Sequence, residues 1–159
     1  LKAAEPRLVL AIRETLPGMN ELVTLLEETH PYARQREGTA LIAIFHDDAY
    51  DLEQIDVEVG FPVENARSQP IPLRDNRQMR LKQLPGVELL ASTVHHGEWL
   101  TLSQGYIHLG SWIDLHDYEI VGAGREWFHH IDWDGAQKAT VTELQFPVAK
   151  RRRSTSTDV

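Results

Sequence analysis

The sequence predicts an α+β fold in which two βαββ units form one mostly antiparallel sheet, with two helices on one face and a ligand groove on the other. The first observation is a repeat, since residues 57–63 and 142–148 both read x-Glu-[Val/Leu]-x-Phe-Pro-Val. Such internal similarity indicates duplicated units. The second is the order of predicted elements, which is the same in residues 5–64 and 78–149. The third is a length of 159 residues with 42% apolar side chains, which suits one compact domain.

The first half reads as strand, helix, strand, strand. Branched apolar residues predict a strand at 7–14, and leucines at helical spacing predict an amphipathic helix at 19–36. Gly38 is expected to end this helix. Two further strands are predicted at 40–45 and at 53–63, and apolar and polar residues alternate in the second of these.

The second half repeats this order after a polar, proline-containing linker at 64–76. Its predicted elements are a short strand at 79–84, a strand at 87–95, a helix at 100–115, and strands at 118–130 and 139–149. The strand at 118–130 is interrupted by the sequence Gly-Ala-Gly. The short first strand is the one element that has no counterpart in the first half.

Side-chain alternation places the two repeated glutamates on one face of the sheet. Phe61 and its apolar neighbours at alternate positions share one side of the strand at 53–63, whereas Glu58 lies on the other. The apolar side should pack beneath the helices, so the glutamate side faces the opposite surface, which the sheet twist makes concave. A pseudo-twofold relation between the halves would then aim Glu58 and Glu143 into a common space.

Composition excludes several classes of function. The absence of cysteine excludes disulfides, thiol catalysis and thiolate zinc sites. A net charge of −8 disfavours binding to a phosphate backbone and favours cationic or neutral ligands. No apolar run approaches the ~18 residues of a membrane span, and no secretory signal is recognisable, so a cytoplasmic location is expected.

The two ends of the chain carry weaker signals. Residues 150–159 are basic and then rich in Ser and Thr, which predicts a disordered tail, with a nucleic-acid-binding arm as the alternative. The chain begins at Leu1 rather than at a methionine. We therefore expect it to be a piece of a longer protein.

Seven stretches, in this order, resemble the effector-binding domain of the GyrI-like superfamily, which is also the C-terminal sensor of MerR-family multidrug regulators. They are Asp56–Val63, Leu84–Val87, His95–Trp99, Trp112–Ile113, Asp117–Gly122, Arg125–Phe128 and Thr142–Val148. The resemblance covers about residues 5–149. It implies a duplicated βαββ fold that binds bulky, often cationic aromatic compounds in a groove between its halves.

The resemblance also assigns roles to particular residues. The family's ligand-facing glutamate in the final strand falls on Glu143, and its aromatic residue after the helix-opening glycine falls on Trp99. The tyrosine that usually ends the family's Arg-Glu-x-Tyr stretch is Phe128 here. That departure removes a hydroxyl from the expected pocket.

A set of seven side chains is therefore expected to bind the ligand. They are Glu143, Glu58, Trp99, Phe128, Gln145, Glu126 and His130. An organic cation would balance Glu143, with Glu58 assisting, because an unpaired buried carboxylate is costly. Trp99 and Phe128 would stack on the ligand, and alternation places Glu126 and His130 on the face of Phe128. The competing interpretations are a solvated sheet face for the glutamates and core packing for the aromatic residues.

The sequence also permits two other chemistries, a metal site and hydrolysis. One histidine each from the pairs at 95–96 and 129–130 can in principle meet Glu143 at a metal, but no metal-ligand spacing supports this, and no metal or cofactor is expected. Some GyrI-like proteins are hydrolases that use a glutamate and a tyrosine in this groove. Glu143 would be the general base, but Phe128 at the tyrosine position argues against it, so no catalytic residue is expected.

The leading hypothesis is the ligand-sensing domain of a MerR-type transcription regulator. Its ligand would be a hydrophobic small molecule, cationic or aromatic. DNA would be bound only through a domain outside this chain, which would also carry the dimerisation of the full-length protein as a homodimer. The alternative hypotheses are a stand-alone GyrI-like binding protein and, with less support, a GyrI-like small-molecule hydrolase.

Overall fold

The computed structural model describes residues 1–36, 40–47 and 53–152, which form ten strands, two α-helices and one short 3₁₀ helix. The strands are β1 (Lys2–Ala4), β2 (Arg7–Leu16), β3 (Leu41–Phe45), β4 (Ile55–Pro62), β5 (Ile71–Pro72), β6 (Gln78–Leu84), β7 (Val87–His96), β8 (Tyr118–Ile120), β9 (Gly124–His130) and β10 (Val141–Lys150). The helices are α1 (Met19–Arg34) and α2 (Leu102–Leu115), and the 3₁₀ helix Trp99–Thr101 leads into α2.

The strands form one antiparallel sheet in the order β1-β7-β10-β9-β3-β4-β2-β6-β5, with β8 paired to the end of β10. The two halves meet where β9 pairs with β3. From this joint outwards, one side of the sheet consists of β9, β10, β7 and β1, and the other of β3, β4, β2 and β6. The strand β6, predicted as part of the second half, therefore lies beside β2 of the first half. The predicted α+β fold with a mostly antiparallel sheet is confirmed.

The two helices cover one face of the sheet, each over its own half. Leucines 22, 25 and 26 of α1 pack with Val57, Val59 and Phe61 of β4 in one buried cluster. Leu109 and Ile113 of α2 pack with Leu144 and Val148 of β10 in another. Burial of each such side chain contributes about 1.5–3 kcal/mol, so the apolar side of the alternating strands determines which face carries the helices. In the described ranges, neither helix has the length and apolar character needed to cross a membrane.

The structure differs from the predicted elements at both ends of the chain, in one strand, and in the predicted linker at 64–76, where β5 forms and pairs with β6. The strand β1 was not predicted, and residues 118–130 form two strands, β8 and β9, that pair with opposite ends of β10. Lys150 ends β10, and the backbone N–H of Arg151 donates to the carbonyl of Asp117 at 2.8 Å. Gly38 and residues 153–159, which carry the predicted helix end and most of the predicted tail, lie outside the described residues.

Candidate functional site

A cavity of about 610 Å³ opens on the face of the sheet opposite the helices. Its lining includes the first residues of the chain, Lys2 to Arg7, and side chains of β9 and β10, namely Arg125, Trp127, His129, Glu143 and Gln145. Trp127 pairs directly with Glu143, and Arg125 pairs with Gln145, and paired residues of antiparallel strands share a face. The volume lies within the range of about 300–1,000 Å³ that is common for small-molecule sites.

Glu143 is the buried carboxylate of this cavity, with 7% of its surface exposed. Lys2 Nζ lies 2.5 Å from its Oε2, Gln145 Nε2 donates to the same oxygen at 2.7 Å, and His129 Nε2 lies 3.0 Å from Oε1. Burial alone would raise the pKa of Glu143, but the contacts with Lys2, Gln145 and His129 outweigh burial and hold this pKa below its ordinary value. Glu143 is therefore ionised at neutral pH, and Lys2 balances its charge.

Glu58 has the same kind of environment in the first half. Its surface is 4% exposed, Lys82 Nζ lies 2.8 Å from Oε2, and His46 Nε2 lies 3.1 Å from Oε1. The lysines occupy equivalent places, because β6 lies beside β2 as β1 lies beside β7. Each repeated glutamate is therefore held by one lysine from a flanking strand and by one histidine.

The two glutamates do not share one cavity, so the expectation that both point into a common space is wrong. Both face the side of the sheet opposite the helices, since Glu58 is linked to Gln145 by direct pairing through Ile44 and Arg125. Three strand spacings separate β4 from β10, a distance of about 14 Å, and Glu58 does not line the cavity. The strands β3 and β9 lie between them, and their Ile42, Ile44 and Trp127 side chains fill that space.

Trp99 and Phe128 lie on the helix side of the sheet. The expectation that they stack on a ligand in the same cavity as Glu143 is therefore wrong. Phe128 is buried in the cluster formed with α1. The Trp99 ring makes edge-on contacts with the rings of Phe128 and Trp133, with centroids 5.6 Å apart in each case. The physical reason is alternation, because odd-numbered residues of β9 face the cavity with Glu143 and even-numbered ones face the helices.

Glu126 and His130 also lie outside the cavity. Glu126 is 7% exposed and accepts a hydrogen bond of 2.7 Å from the Tyr106 hydroxyl of α2. Burial raises the pKa of Glu126 to about 7, against the opposite effect of Tyr106. His130 is exposed at the irregular end of the β9–β10 pairing. Of the seven candidates, the structure brings Glu143 and Gln145 together in the cavity, and ligand binding by any of the seven stays a prediction.

The cavity is also lined by side chains that the sequence did not assign to ligand binding, among them Lys2, Arg125, Trp127 and His129. Trp127 is 9% exposed, and the Arg7 guanidinium carbon lies 5.3 Å from its ring centroid. Alternation alone offers residues 125, 127 and 129 or residues 126, 128 and 130, and a shift of one residue exchanges the faces. Among the described residues, no group of three or more His, Cys, Asp or Glu side chains is placed to hold a metal ion.

Solved structures share the fold of this chain, although no family model and no curated protein matches its sequence. EcmrR in its complex with DNA superposes with a TM-score of 0.75 at 20% identity, covering 94% of this chain and 56% of the EcmrR chain. The isolated EcmrR C-terminal domain gives a TM-score of 0.73 at 19% identity, covering 94% of this chain and 95% of that domain. The chain thus spans about half the length of EcmrR and nearly all of its C-terminal domain.

Two further solved structures with this fold are a protein bound to an organic cation and a hydrolase. SAV2435 bound to tetraphenylphosphonium gives a TM-score of 0.59 at 12% identity, covering 93% of this chain and 92% of SAV2435. A hydrolase encoded by lin2189 from Listeria innocua gives a TM-score of 0.59 at 9% identity, covering 93% of this chain and 90% of the hydrolase. These identities are too low to carry over an activity. The chain has the fold of the EcmrR C-terminal domain, as its resemblance to the GyrI-like superfamily predicted.

Proposed function

We propose that this chain is the effector-binding domain of a MerR-type transcription regulator and that it takes a hydrophobic small molecule with a cationic group into the cavity. The observation that carries the proposal is Glu143, a buried and ionised carboxylate whose counter-charge is a half-exposed lysine. The fold shared with EcmrR, whose structure includes DNA, supports the regulatory context, and SAV2435 with its bound phosphonium supports a cation. DNA would be bound in the cytoplasm by a part outside this chain, in a homodimer.

Lys2 is the cation that the ligand would replace. Its strand β1 has three residues, lies at the edge of the sheet and pairs with β7 in an irregular register. The Lys2 side chain is 49% exposed, so its ammonium group can return to water at little cost. Exchange of this ammonium for the ligand cation keeps Glu143 neutralised, while burial of the ligand's apolar part supplies the net gain.

Trp127 gives the cavity its aromatic wall, in the role first expected of Trp99 and Phe128. Apolar side chains of Ala40, Pro62, Leu84 and Leu90 line the same cavity. A flat cation on the Trp127 ring would gain about 0.5–2 kcal/mol, in competition with Arg7, which occupies that position now. The cavity therefore combines an aromatic surface with one buried carboxylate, which is the combination that a hydrophobic cation needs.

Binding is better supported than hydrolysis. The lowered pKa of Glu143 makes it a weak general base at neutral pH. The described residues that line the cavity include no tyrosine to donate a proton. A hydrolase is known with this fold, so turnover of a reactive substrate that Glu143→Gln abolishes would be the result in favour of that alternative.

Sensing requires that the ligand bind one state of the protein more tightly than another. The contact between Lys2 and Glu143 provides two such states. In one, Lys2 connects β1 to the buried carboxylate of β10; in the other, the ligand takes that place and β1 loses the connection. We therefore expect β1 to be the segment whose position reports the ligand.

Tryptophan fluorescence tests this proposal with a matched pair of glutamate variants. Tetraphenylphosphonium and the neutral triphenylphosphine oxide are titrated into the wild type, Glu143→Gln and Glu58→Gln. We expect the cation to bind more tightly, and Glu143→Gln to weaken its binding about tenfold, which corresponds to 1.4 kcal/mol. Glu58→Gln should change it less than twofold, because Glu58 lies outside the cavity.

The same titration identifies the site that responds. Trp127→Phe should remove most of the fluorescence change, because Trp127 lines the cavity whereas Trp99 and Trp133 contact each other on the helix side. Equal affinities for the cation and the neutral compound, with no effect of Glu143→Gln, would contradict the proposal.

A further inference from the structure

Arg125 is a buried guanidinium on the cavity wall that lacks an acidic partner. It is 8% exposed, and no hydrogen bond or ion pair of its side chain is found among the described residues. The other buried or bridging arginines differ: Arg77 binds Glu14 and Glu28 at 2.8–2.9 Å, and Arg13 binds Asp56 through two hydrogen bonds. Burial without a partner lowers the pKa of Arg125. A buried charge of this kind is costly unless something outside the chain pairs with it.

Gln145 presents a second unpaired group at the same place. It lies directly opposite Arg125 in the pairing of β9 with β10. Its Nε2 donates to Glu143 at 2.7 Å, whereas its Oε1 is buried and accepts no hydrogen bond within the described part of the chain. Buried amide oxygens are nearly always hydrogen-bonded in folded proteins. The cavity wall therefore presents a guanidinium that can donate two parallel hydrogen bonds next to a buried amide oxygen that can accept one.

The charges around the cavity show what a ligand would meet there. Of the described residues in its lining, three carry positive charge (Lys2, Arg7 and Arg125) and two carry negative charge (Glu5 and Glu143). A ligand with a single positive charge that displaces Lys2 would still lie beside the unpaired Arg125. Like charges in a partly buried site repel, so a purely cationic ligand would lose part of what it gains at Glu143.

We infer that the effector is amphoteric: a protonated amine replaces Lys2 at Glu143, and a carboxylate of the same molecule is bound by Arg125. This inference rests on the proposed function and specifies its ligand class. Glu143 pairs with Trp127, two residues from Arg125, so the two charged side chains start from diagonal positions about 7–8 Å apart. An aromatic ring over Trp127 fits between them. The planar guanidinium suits a carboxylate because it can donate two parallel hydrogen bonds.

A matched set of three probes tests this inference by isothermal titration calorimetry. The probes are 4-(aminomethyl)benzoate, which carries both charges, its methyl ester, which is only cationic, and 4-methylbenzoate, which is only anionic. On the wild type we expect the amphoteric probe to bind at least tenfold more tightly than either of the others. Arg125→Gln should bring its affinity to within twofold of the ester, and Glu143→Gln should bring it to within twofold of 4-methylbenzoate.

Two control variants separate the role of Arg125 from its contribution to folding. Arg125→Lys keeps the charge without the planar fork and should retain part of the preference for the amphoteric probe. Arg13→Gln removes an arginine that is paired with Asp56 outside the cavity and should leave all three affinities unchanged. Thermal unfolding of each variant establishes that it is folded under the conditions of the titration.

The outcomes distinguish this inference from the proposed function. If the ester binds the wild type as tightly as the amphoteric probe, or if Arg125→Gln weakens both equally, the inference is wrong. It is also wrong if none of the three probes binds while tetraphenylphosphonium does, and the proposed function then stands. If tetraphenylphosphonium also fails to bind, the proposed function fails together with the inference.

Discussion

Two buried glutamates on opposite faces of adjacent strands behave in opposite ways. Glu143 on β10 and Glu126 on β9 are each 7% exposed, yet the pKa of Glu143 lies below its ordinary value and that of Glu126 rises to about 7. Glu143 borders the open cavity and is held by Lys2, Gln145 and His129. Glu126 lies beneath α2, where the neutral hydroxyl of Tyr106 donates to it.

The comparison shows that exposure does not decide whether a buried carboxylate is ionised. Burial disfavours the charge in both glutamates, and the difference comes from the donors that surround each of them. A site for an organic cation needs an ionised carboxylate whose partner can leave. Glu143 is ionised, and its partner Lys2 is half exposed. Glu126 holds its proton up to near-neutral pH and lies on the side of the sheet that the helices cover.

The largest effect is expected when Glu126 is replaced by glutamine. The folded-state pKa of Glu126 is raised from 4.5 to about 7, so the cost of burying its charge is absent below the unfolded-state pKa and grows as the pH rises towards 7. Above that pH the cost is about 3 kcal/mol. Glu126→Gln should therefore raise the free energy of unfolding by about 2–3 kcal/mol at pH 8 and hardly change it at pH 4.5, as measured by urea unfolding.

Glu143→Gln is the matched variant on the other face and should have the opposite sign. Because the folded-state pKa of Glu143 is lowered, the ionised group contributes stability above its unfolded-state pKa, and this is lost as the pH falls through the folded-state value. Glu143→Gln should thus destabilise the protein at neutral pH. If both variants change the free energy of unfolding in the same direction at pH 8, the proposed contrast between Glu126 and Glu143 is wrong.

The fold was largely predictable because it follows from local patterns. Alternation in β4 identified the side that packs beneath α1. The repeated Phe-Pro segment suggested a division into two halves, which stays a prediction. The strand β1 escaped prediction because three residues carry no periodic signal and its position depends on pairing with β7. The same dependence on tertiary pairing separated residues 118–130 into β8 and β9.

The site was predictable only in part because its residues come together through strand register. The repeat identified Glu143 and the face it occupies, but it could not show which face of β9 lies beside it. Because Glu143 pairs with Trp127, Arg125 and His129 lie on the cavity face of β9. Phe128 and Glu126 therefore lie on the face that the helices cover. Lys2 lies 141 positions from Glu143 in the sequence, so no local pattern could connect them.

Replacement of Arg125 is expected to have an intermediate effect on stability, and the effect should be stabilising. Removal of a buried charge without a partner relieves its desolvation penalty, so Arg125→Met should raise the free energy of unfolding by about 1 kcal/mol, or the melting temperature by about 2–4 °C. Arg13→Met, which breaks a pair with Asp56 on an exposed side chain, should lower the free energy of unfolding only slightly, because solvent screens this pair. Differential scanning calorimetry measures both, and destabilisation by Arg125→Met would show that the guanidinium has a structural partner.

A small change in stability is expected for Lys2→Met. This substitution removes the charged partner that distinguishes Glu143 from Glu126. Lys2→Met leaves Glu143 with Gln145 and His129, so its pKa should rise towards that of Glu126, which carbon-13 NMR of the carboxyl groups can follow. Because the Lys2 side chain is half exposed, the loss of stability should stay below about 1 kcal/mol.

Lys2→Met should at the same time strengthen the binding of tetraphenylphosphonium severalfold, because the cation no longer competes with the ammonium for Glu143. Lys82→Met is the matched control: it removes the equivalent partner of Glu58, on a seven-residue strand that is paired on both sides. That control should lower the free energy of unfolding by a similarly small amount, below about 1 kcal/mol, since the Lys82 side chain is also nearly half exposed, and should not change the affinity. If the two lysine variants change the affinity alike, displacement of Lys2 is not what couples the ligand to β1, and Glu143 is no different from its counterpart in the first half.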